Sequence, residues 1–546
     1  MIRLFKFKGG VKPNPNKTQS TQLPIAQAPL VARYIVPLHQ SVGGTPRPVV
    51  QVGDHVLKGQ RLGEADGWVS AAVHAPTSGT VIEIGPHIVP HPSGLTTECV
   101  VIEADGRDQW IERQPFDMAG ATPESVREYL RDMGIVGMGG AVFPSHVKLS
   151  VPRGKQIEEL IINGAECEPF ITCDDRLMRE QALEVVQGST LFGQLINAGK
   201  VLIGVEDNKP EAIAALQAAQ QALNAPVAIV TVPTIYPTGG AKELIRVLTG
   251  KEVPASKRST DFSVQVFNVA TVQSAWRAIT HGEPLISRIV TLSGNVGEPR
   301  NWLVPIGMPI GELVTLAGPL PDTDGVVMGG PMMGFRVPTL DAPVIKATNC
   351  LLAHSDALFP PKPAEQQCIR CGSCAQACPQ ELQPFELYWW SRAAKFDKLE
   401  KYKLNDCIEC GCCDYVCPSH IPLVNYFRFA KSEIDAEARA HKASDSARER
   451  FEFREERAER EKREKAERLA KANAARQAAG ATLTENSSAS VESATPATDK
   501  PVLDHEQATI PVGVDTHPVL DAATKQAAIS AAVEQARARR ENHNKH

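Results

Sequence analysis

Cys368-Ile-Arg-Cys371-Gly-Ser-Cys374-Ala-Gln-Ala-Cys378-Pro379 and Cys407-Ile-Glu-Cys410-Gly-Cys412-Cys413-Asp-Tyr-Val-Cys417-Pro418 repeat one spacing. Three thiolates two residues apart wrap three corners of a cubane, and the fourth, a longer step away, points to the neighbouring cluster. The spacing predicts two [4Fe-4S] clusters, one on Cys368, Cys371, Cys374 and Cys417, the other on Cys407, Cys410, Cys413 and Cys378. Proline after the last cysteine keeps the chain from running straight on. Tetrahedral zinc needs four ligands, not a staggered double set. Two clusters in one small domain make a relay for single electrons. Cys412, Cys99, Cys167, Cys173 and Cys350 fall outside the pattern and read as structural residues.

The surrounding composition agrees with metal ligation. Nine of the 13 cysteines lie between Cys368 and Cys417 of a 546-residue chain, which argues for ligands over disulfides. That length predicts several domains, and 42% hydrophobic residues suffice for large cores. A net charge of −5 argues for no nucleic-acid partner. No apolar run reaches the roughly 18–20 residues of a membrane span, and MIRLFKFKGG lacks the apolar core of a secretory signal. The expectation is a cytosolic chain that meets a membrane through a partner.

Upstream, the residues to about 115 read as short strands and turns. Val-Gly-Asp-His-Val-Leu-Lys-Gly-Gln (52–60) and Ala-Pro-Thr-Ser-Gly-Thr-Val (75–81) resemble the barrel-sandwich hybrid of biotinyl and lipoyl carriers. Leu62 to Val73 contains no lysine, so a structural module is expected, not a swinging arm. From about 120 to 280, apolar strands at Leu160–Ile162, Val201–Val205, Val227–Val232 and Val264–Phe267 alternate with helical stretches. Those stretches are Glu124–Met133, Asp175–Ala198, Glu211–Leu223 and Lys242–Leu248, so a mostly parallel sheet covered on both faces is predicted. β signals return over 285–345. After Ala430 the chain turns charged, with Glu456–Arg460, Glu459–Arg463 and Glu464–Arg468 at helical spacing. It then becomes low in complexity, with disorder expected over 481–520 and a short helix over 522–540.

One loop in the α/β region carries further chemistry. Gly134-Ile-Val-Gly137-Met-Gly139-Gly140-Ala-Val-Phe143-Pro-Ser-His-Val-Lys148 permits close approach of backbone to a phosphate or flavin, but is neither a dinucleotide fingerprint nor a P-loop. Asn163-Gly-Ala-Glu166-Cys-Glu168-Pro follows a strand, where polar residues face a ligand crevice. These two segments, Tyr236-Pro-Thr-Gly-Gly240 and Asn268-Val-Ala-Thr271 resemble, in the same order, the flavin-bearing NADH-binding subunit of respiratory complex I. With the N-terminal module, Gly329-Gly-Pro-Met-Met-Gly334 and the two cysteine runs, residues 1–430 resemble the RnfC family of the Rnf (Rsx) ion-translocating oxidoreductase complexes.

The resemblance implies FMN held by Gly137, Gly139, Gly140, Asn163, Glu166, Asn268 and Thr271, with Phe143, Lys148 and Glu168 nearer an NAD(H) substrate. The chain departs from the complex I pattern at Gly240 and Ala241, where two carboxylates near the nicotinamide are missing, and at Ala165. Lys12 stands where many family members have histidine. The implied architecture is multidomain α/β. It comprises a barrel-sandwich hybrid module (1–115), a Rossmann-like FMN domain (116–284), an SLBB or β-grasp-like domain (285–349), an α-helical double-[4Fe-4S] ferredoxin-type domain (350–430), a charged helix (431–480) and a disordered tail (481–546). The implied role is that of a peripheral inner-membrane translocase component on the cytoplasmic side. It would move electrons between NADH, FMN and the clusters, with integral membrane and iron–sulfur subunits as partners. A cluster-bearing docking scaffold without a nucleotide site, or a soluble NADH dehydrogenase subunit, are the alternatives.

Overall fold

The computed structural model describes residues 3–483 except Arg153, Ala255 and Lys362, and side chains as far as Arg476. The expected disorder over 481–520 and helix over 522–540 lie almost wholly outside the described residues.

Four strands of the α/β region, Glu159–Gly164, Lys200–Glu206, Val227–Val232 and Val264–Asn268, form one parallel sheet. Their order across the sheet is 227–232, 200–206, 159–164, 264–268. The chain steps outward from the Glu159–Gly164 strand twice, then returns to its other side. The order therefore reverses between Glu159–Gly164 and Val264–Asn268, where Asn163 and Asn268 stand side by side. Open parallel sheets bind ligands beyond the carboxyl ends of their strands at such a reversal. One face is packed by Val185, Phe192, Leu216 and Val272, the other by Leu244, Leu248 and Val253.

Helix boundaries follow local chemistry. Thr122 caps the Pro123–Asp132 helix in a reciprocal pair with Ser125, and Asn268 caps Val269–His281 by accepting from the Ala270 amide. The single helix expected over Asp175–Ala198 is two, Cys173–Glu180 and Ala182–Leu195, because Gln181 leaves helical geometry at φ −125°, ψ 34°.

The N-terminal module pairs a four-stranded antiparallel sheet (Arg33–Pro37, Thr96–Ala104, Gly79–Ile88, His55–Val56) with a three-stranded one. Its core is shared: Tyr34, Val36, Leu62 and Val100 pack with Val290, Leu292, Val304 and Leu351 of a six-stranded mixed sheet. Cys350–His354, past the boundary expected at 349, is an inner strand of that sheet, parallel to Ser287–Gly294 and antiparallel to Gly325–Met328. The tip where a carrier lysine would stand is tied down. Arg131 donates to the Ala65 and Gly67 carbonyls, and the His146 ring bonds the Trp68 carbonyl. A module so anchored does not swing.

The cysteine domain packs short helices, including Pro384–Arg392 and Phe396–Lys401, around Leu387, Tyr388, Leu399 and Phe427. Its last helix spans Leu423–Leu483. Residues 449–483, taken by themselves, are helical with exposed side chains over 449–476, and carry the i,i+4 pair Arg457–Glu461 at 2.8 Å.

Candidate functional site

The carboxyl ends of the parallel strands open into a cavity of about 610 Å³. That is an ordinary size for a cofactor site. Gly137, Gly139, Gly140, Phe143, Lys148, Asn163, Glu166, Glu168 and Asn268 all line it. Thr271 does not. It is fully buried, and its hydroxyl accepts from the Met138 amide at 2.9 Å, so it fixes the glycine loop from behind.

The two asparagines at the sheet reversal each carry a second bond. Asn163 donates to the Gly239 carbonyl at 2.9 Å, and Asn268 donates to the Asp174 carboxylate at 2.6 Å. Cys167, expected to be merely structural, lines the cavity, and its sulfur accepts from the Gly239 amide at 3.2 Å. The Gly239 position tolerates no side chain, since a Cβ there would lie 2.3 Å from the Ala165 carbonyl oxygen. Tyr236-Pro-Thr-Gly-Gly240 is therefore moulded against Asn163-Gly-Ala-Glu-Cys167, which no chain spacing displays.

Carboxylates crowd the cavity. Glu166 accepts from the amides of Asp174 (2.8 Å) and Asp175 (3.3 Å), so it is committed to the start of the Cys173–Glu180 helix. Glu168 accepts from the amides of Met332 (2.7 Å) and Met333 (3.1 Å), pinning the Gly329–Gly334 loop over the cavity, and burial pushes its carboxyl up. Lys148 turns inward, with its ammonium on the Val266 carbonyl and 4.7 Å from the Phe267 ring centre; burial lowers it to about 8. Glu243, one helical turn beyond Gly240, is 3% exposed and lines the same wall. A carboxylate thus reaches the region where Gly240 and Ala241 leave two missing. Burial pushes Glu243 up, and Gln380 of the cysteine domain donates to it.

The cysteines gather in two groups. Cys368, Cys371, Cys374 and Cys417 surround one small cavity, and Cys378, Cys407, Cys410 and Cys413 surround a second, which Cys412 also touches. The crossing of Cys378 and Cys417 between runs is the stagger that the spacing predicts. Four protein thiols are costly company as bare thiolates, since burial pushes Cys407 up to about 11. An iron-rich centre is what makes four thiolates tolerable, so the donor sets fit clusters. The bare glycine backbone and the size of the large cavity likewise fit a flavin nucleotide.

Cys410 and Ile408 line the large cavity as well. The buried Tyr236 joins the two sites, its hydroxyl donating to the Cys410 carbonyl at 2.6 Å.

Residues 130–277 match the Nuo51 FMN-binding domain, 5–107 the RnfC barrel sandwich hybrid domain, 289–336 the SLBB domain and 367–421 the 4Fe-4S dicluster domain. The chain thus combines an FMN-binding domain with a 4Fe-4S dicluster domain. More specifically, the chain belongs to the RnfC family of ion-translocating oxidoreductase complexes. It is 47% identical over 458 residues to the member from Haemophilus influenzae (strain 86-028NP), spanning 83% of this chain and 69% of that one. Members from Pasteurella multocida (49% identity, 82% of this chain, 54% of the relative) and Salmonella dublin (47%, 83% and 65%) are similar. The chain thus spans between about half and two thirds of the length of several relatives it matches. Among solved structures, an NAD+-reducing NiFe hydrogenase in the H2-reduced state aligns at 19% identity over 61% of this chain and 69% of that one, with a TM-score of 0.43. Among the described residues, no helix is long and apolar enough to cross a membrane.

Proposed function

We propose that this chain is the NAD(H)-handling peripheral subunit of a membrane-bound complex that couples electron transfer to ion translocation. Its site would lie on the cytoplasmic side of the inner membrane, with integral membrane and iron–sulfur subunits as partners. The observation that carries the reading is the shared wall: Cys410, in the second cysteine group, lines the same cavity as Gly137, Gly139 and Gly140. FMN in that cavity supplies conversion between a two-electron hydride donor and single electrons. Gly137, Gly139 and Gly140 offer bare backbone to it, while Asn163 and Asn268 hold the facing segments in register. Phe143, Lys148, Glu168 and Glu243 form the part of the wall assigned to the dinucleotide. Thr271 positions the glycine loop. Cys378, Cys407, Cys410 and Cys413 hold the cluster that meets the flavin, and Cys368, Cys371, Cys374 and Cys417 hold the outer one.

The test is paired iron, sulfide and flavin analysis of the purified, reconstituted full chain, with NADH oxidation by an artificial acceptor. Flavin plus NADH oxidation is the expected result. Iron and sulfide without either would leave an electron-relay scaffold, and co-purification with membrane subunits separates this reading from a soluble dehydrogenase.

A further inference from the structure

Behind the large cavity lies a second, polar one of about 120 Å³, and the two share Met138, Cys173 and Asp174 as a common wall. A water needs roughly 10–15 Å³ of such space, so the rear cavity has room for several. Gln273, Ser274, Arg277, Glu283 and Arg288 give it hydrogen-bonding walls, and its far side reaches Arg277, whose side chain is 36% exposed. Of the residues common to both cavities, Asp174 carries a carboxylate and Cys173 a thiol that burial holds protonated.

The chemistry of the proposed site creates a need at that wall. NADH delivers a hydride, which is two electrons and one proton. The cysteine-bound clusters carry off the two electrons and no proton. One proton per pair of electrons must therefore leave the flavin pocket by another route, and must enter when the flow reverses. We propose that Asp174 is the proton relay of this site, its carboxylate exchanging that proton between the flavin cavity and the water of the rear cavity. The inference rests on the reading of the large cavity as the flavin site.

The groups facing Asp174 suit it to the task. Glu166 presses on it from the loop before its helix, Cys173 adjoins it, Asn268 bonds it from the next helix start, and Arg288 and Lys209 approach from a strand and a helix start. Burial, with the Glu166 charge second, pushes the Asp174 carboxyl up to about 7 against the pull of Asn268, Arg288 and Lys209. A carboxyl poised there gives and takes a proton with little bias. Glu166 and Glu168 are less suited, since both are spent on backbone amides.

The experiment uses the full chain loaded with flavin and clusters, and compares wild type, Asp174→Asn and Ser274→Leu, which fills the rear cavity. Stopped-flow traces of flavin reoxidation are recorded in H2O and D2O, and the flavin midpoint potential is followed against pH. In wild type the potential should change slope near pH 7, and in Asp174→Asn that break should vanish. Reoxidation should slow by about a hundredfold in Asp174→Asn, the low end for a lost general base. It should recover with added formate and slow in the same sense in Ser274→Leu. A persistent break with wild-type rates in Asp174→Asn overturns the relay, as does a wild-type rate in Ser274→Leu, and the latter decides alone if Asp174→Asn fails to hold flavin. Absence of flavin from the wild-type chain would instead overturn the assigned function.

Discussion

Arg370 and Glu409 occupy equivalent places in the two cysteine runs, both at φ 56°, and the glycines that follow the second cysteines stand at φ 78° and 77°. The backbone is duplicated; its surroundings are not. In the first run Cys371 is exposed, Ile369 is 68% exposed, and Gly372 has open space where a side chain would go. In the second, Cys410 and Cys413 are buried, and a Cβ on Gly411 would lie 2.7 Å from the Met332 carbonyl oxygen. The difference teaches that two equivalent ligand sets are told apart by their wrapping alone. One cysteine group is sealed against the large cavity, and the other is left exposed.

The largest effect that would break this comparison comes from ligand removal. Cys410→Ser should halve the iron content and leave a flavin that NADH reduces but that no longer passes electrons to the outer cluster. Cys371→Ser should leave flavin and inner cluster reducible and block delivery to an external acceptor. Equal EPR and transfer behaviour in both variants would refute the assigned order. Next in size, Gly411→Ala must place a side chain at positive φ against backbone, and should cost several kcal/mol. Gly372→Ala, equally left-handed but unobstructed, should cost about 1 kcal/mol, both read from melting curves. Tyr236→Phe should destabilise by about 1–3 kcal/mol, because the buried Cys410 carbonyl loses its donor, and should slow flavin-to-cluster transfer in flash or stopped-flow traces. The smallest contrast is at the surface. Glu409, held by Arg428 (3.0 Å) and Lys431 (2.8 Å), should lose up to about 1 kcal/mol as Gln, while Arg370→Gln changes stability by less than roughly 0.5 kcal/mol.

The cysteine groups were legible in the sequence because all but one ligand of each follow one another at short fixed steps. The parallel strands were legible because a strand buried on both faces must be apolar throughout. What brings Asn163 beside Asn268 is strand order, and chain spacing carries none of it. Thr271 travels with a flavin motif, yet its hydroxyl serves the loop and not the cavity, a distinction that depends on which side of the helix start it faces. Asp174 resembles an ordinary acidic residue of a helix's first turn until Glu166 and Arg288 are folded around it. Glu243 reaches the cavity because a helix turn brings it back over Gly240. The Val269–His281 helix had its signals in Asn268 and Gly282, which cap it, but Val269, Thr271 and Val272 hide a helix among β-formers.

The joint between flavin and cluster domains has a third member, the segment from Phe5 to Val11. The Phe5 amide bonds the Val247 carbonyl, the Gly10 amide bonds the Ala377 carbonyl, and Val11 exchanges two backbone bonds with Tyr236. During synthesis these residues leave the ribosome hundreds of residues ahead of their partner at Ala377. Contacts so distant in the chain close late. The splint is therefore made early and set late, so a fusion placed ahead of Phe5 bears on the last stage of assembly, when cluster domain and flavin domain are locked together.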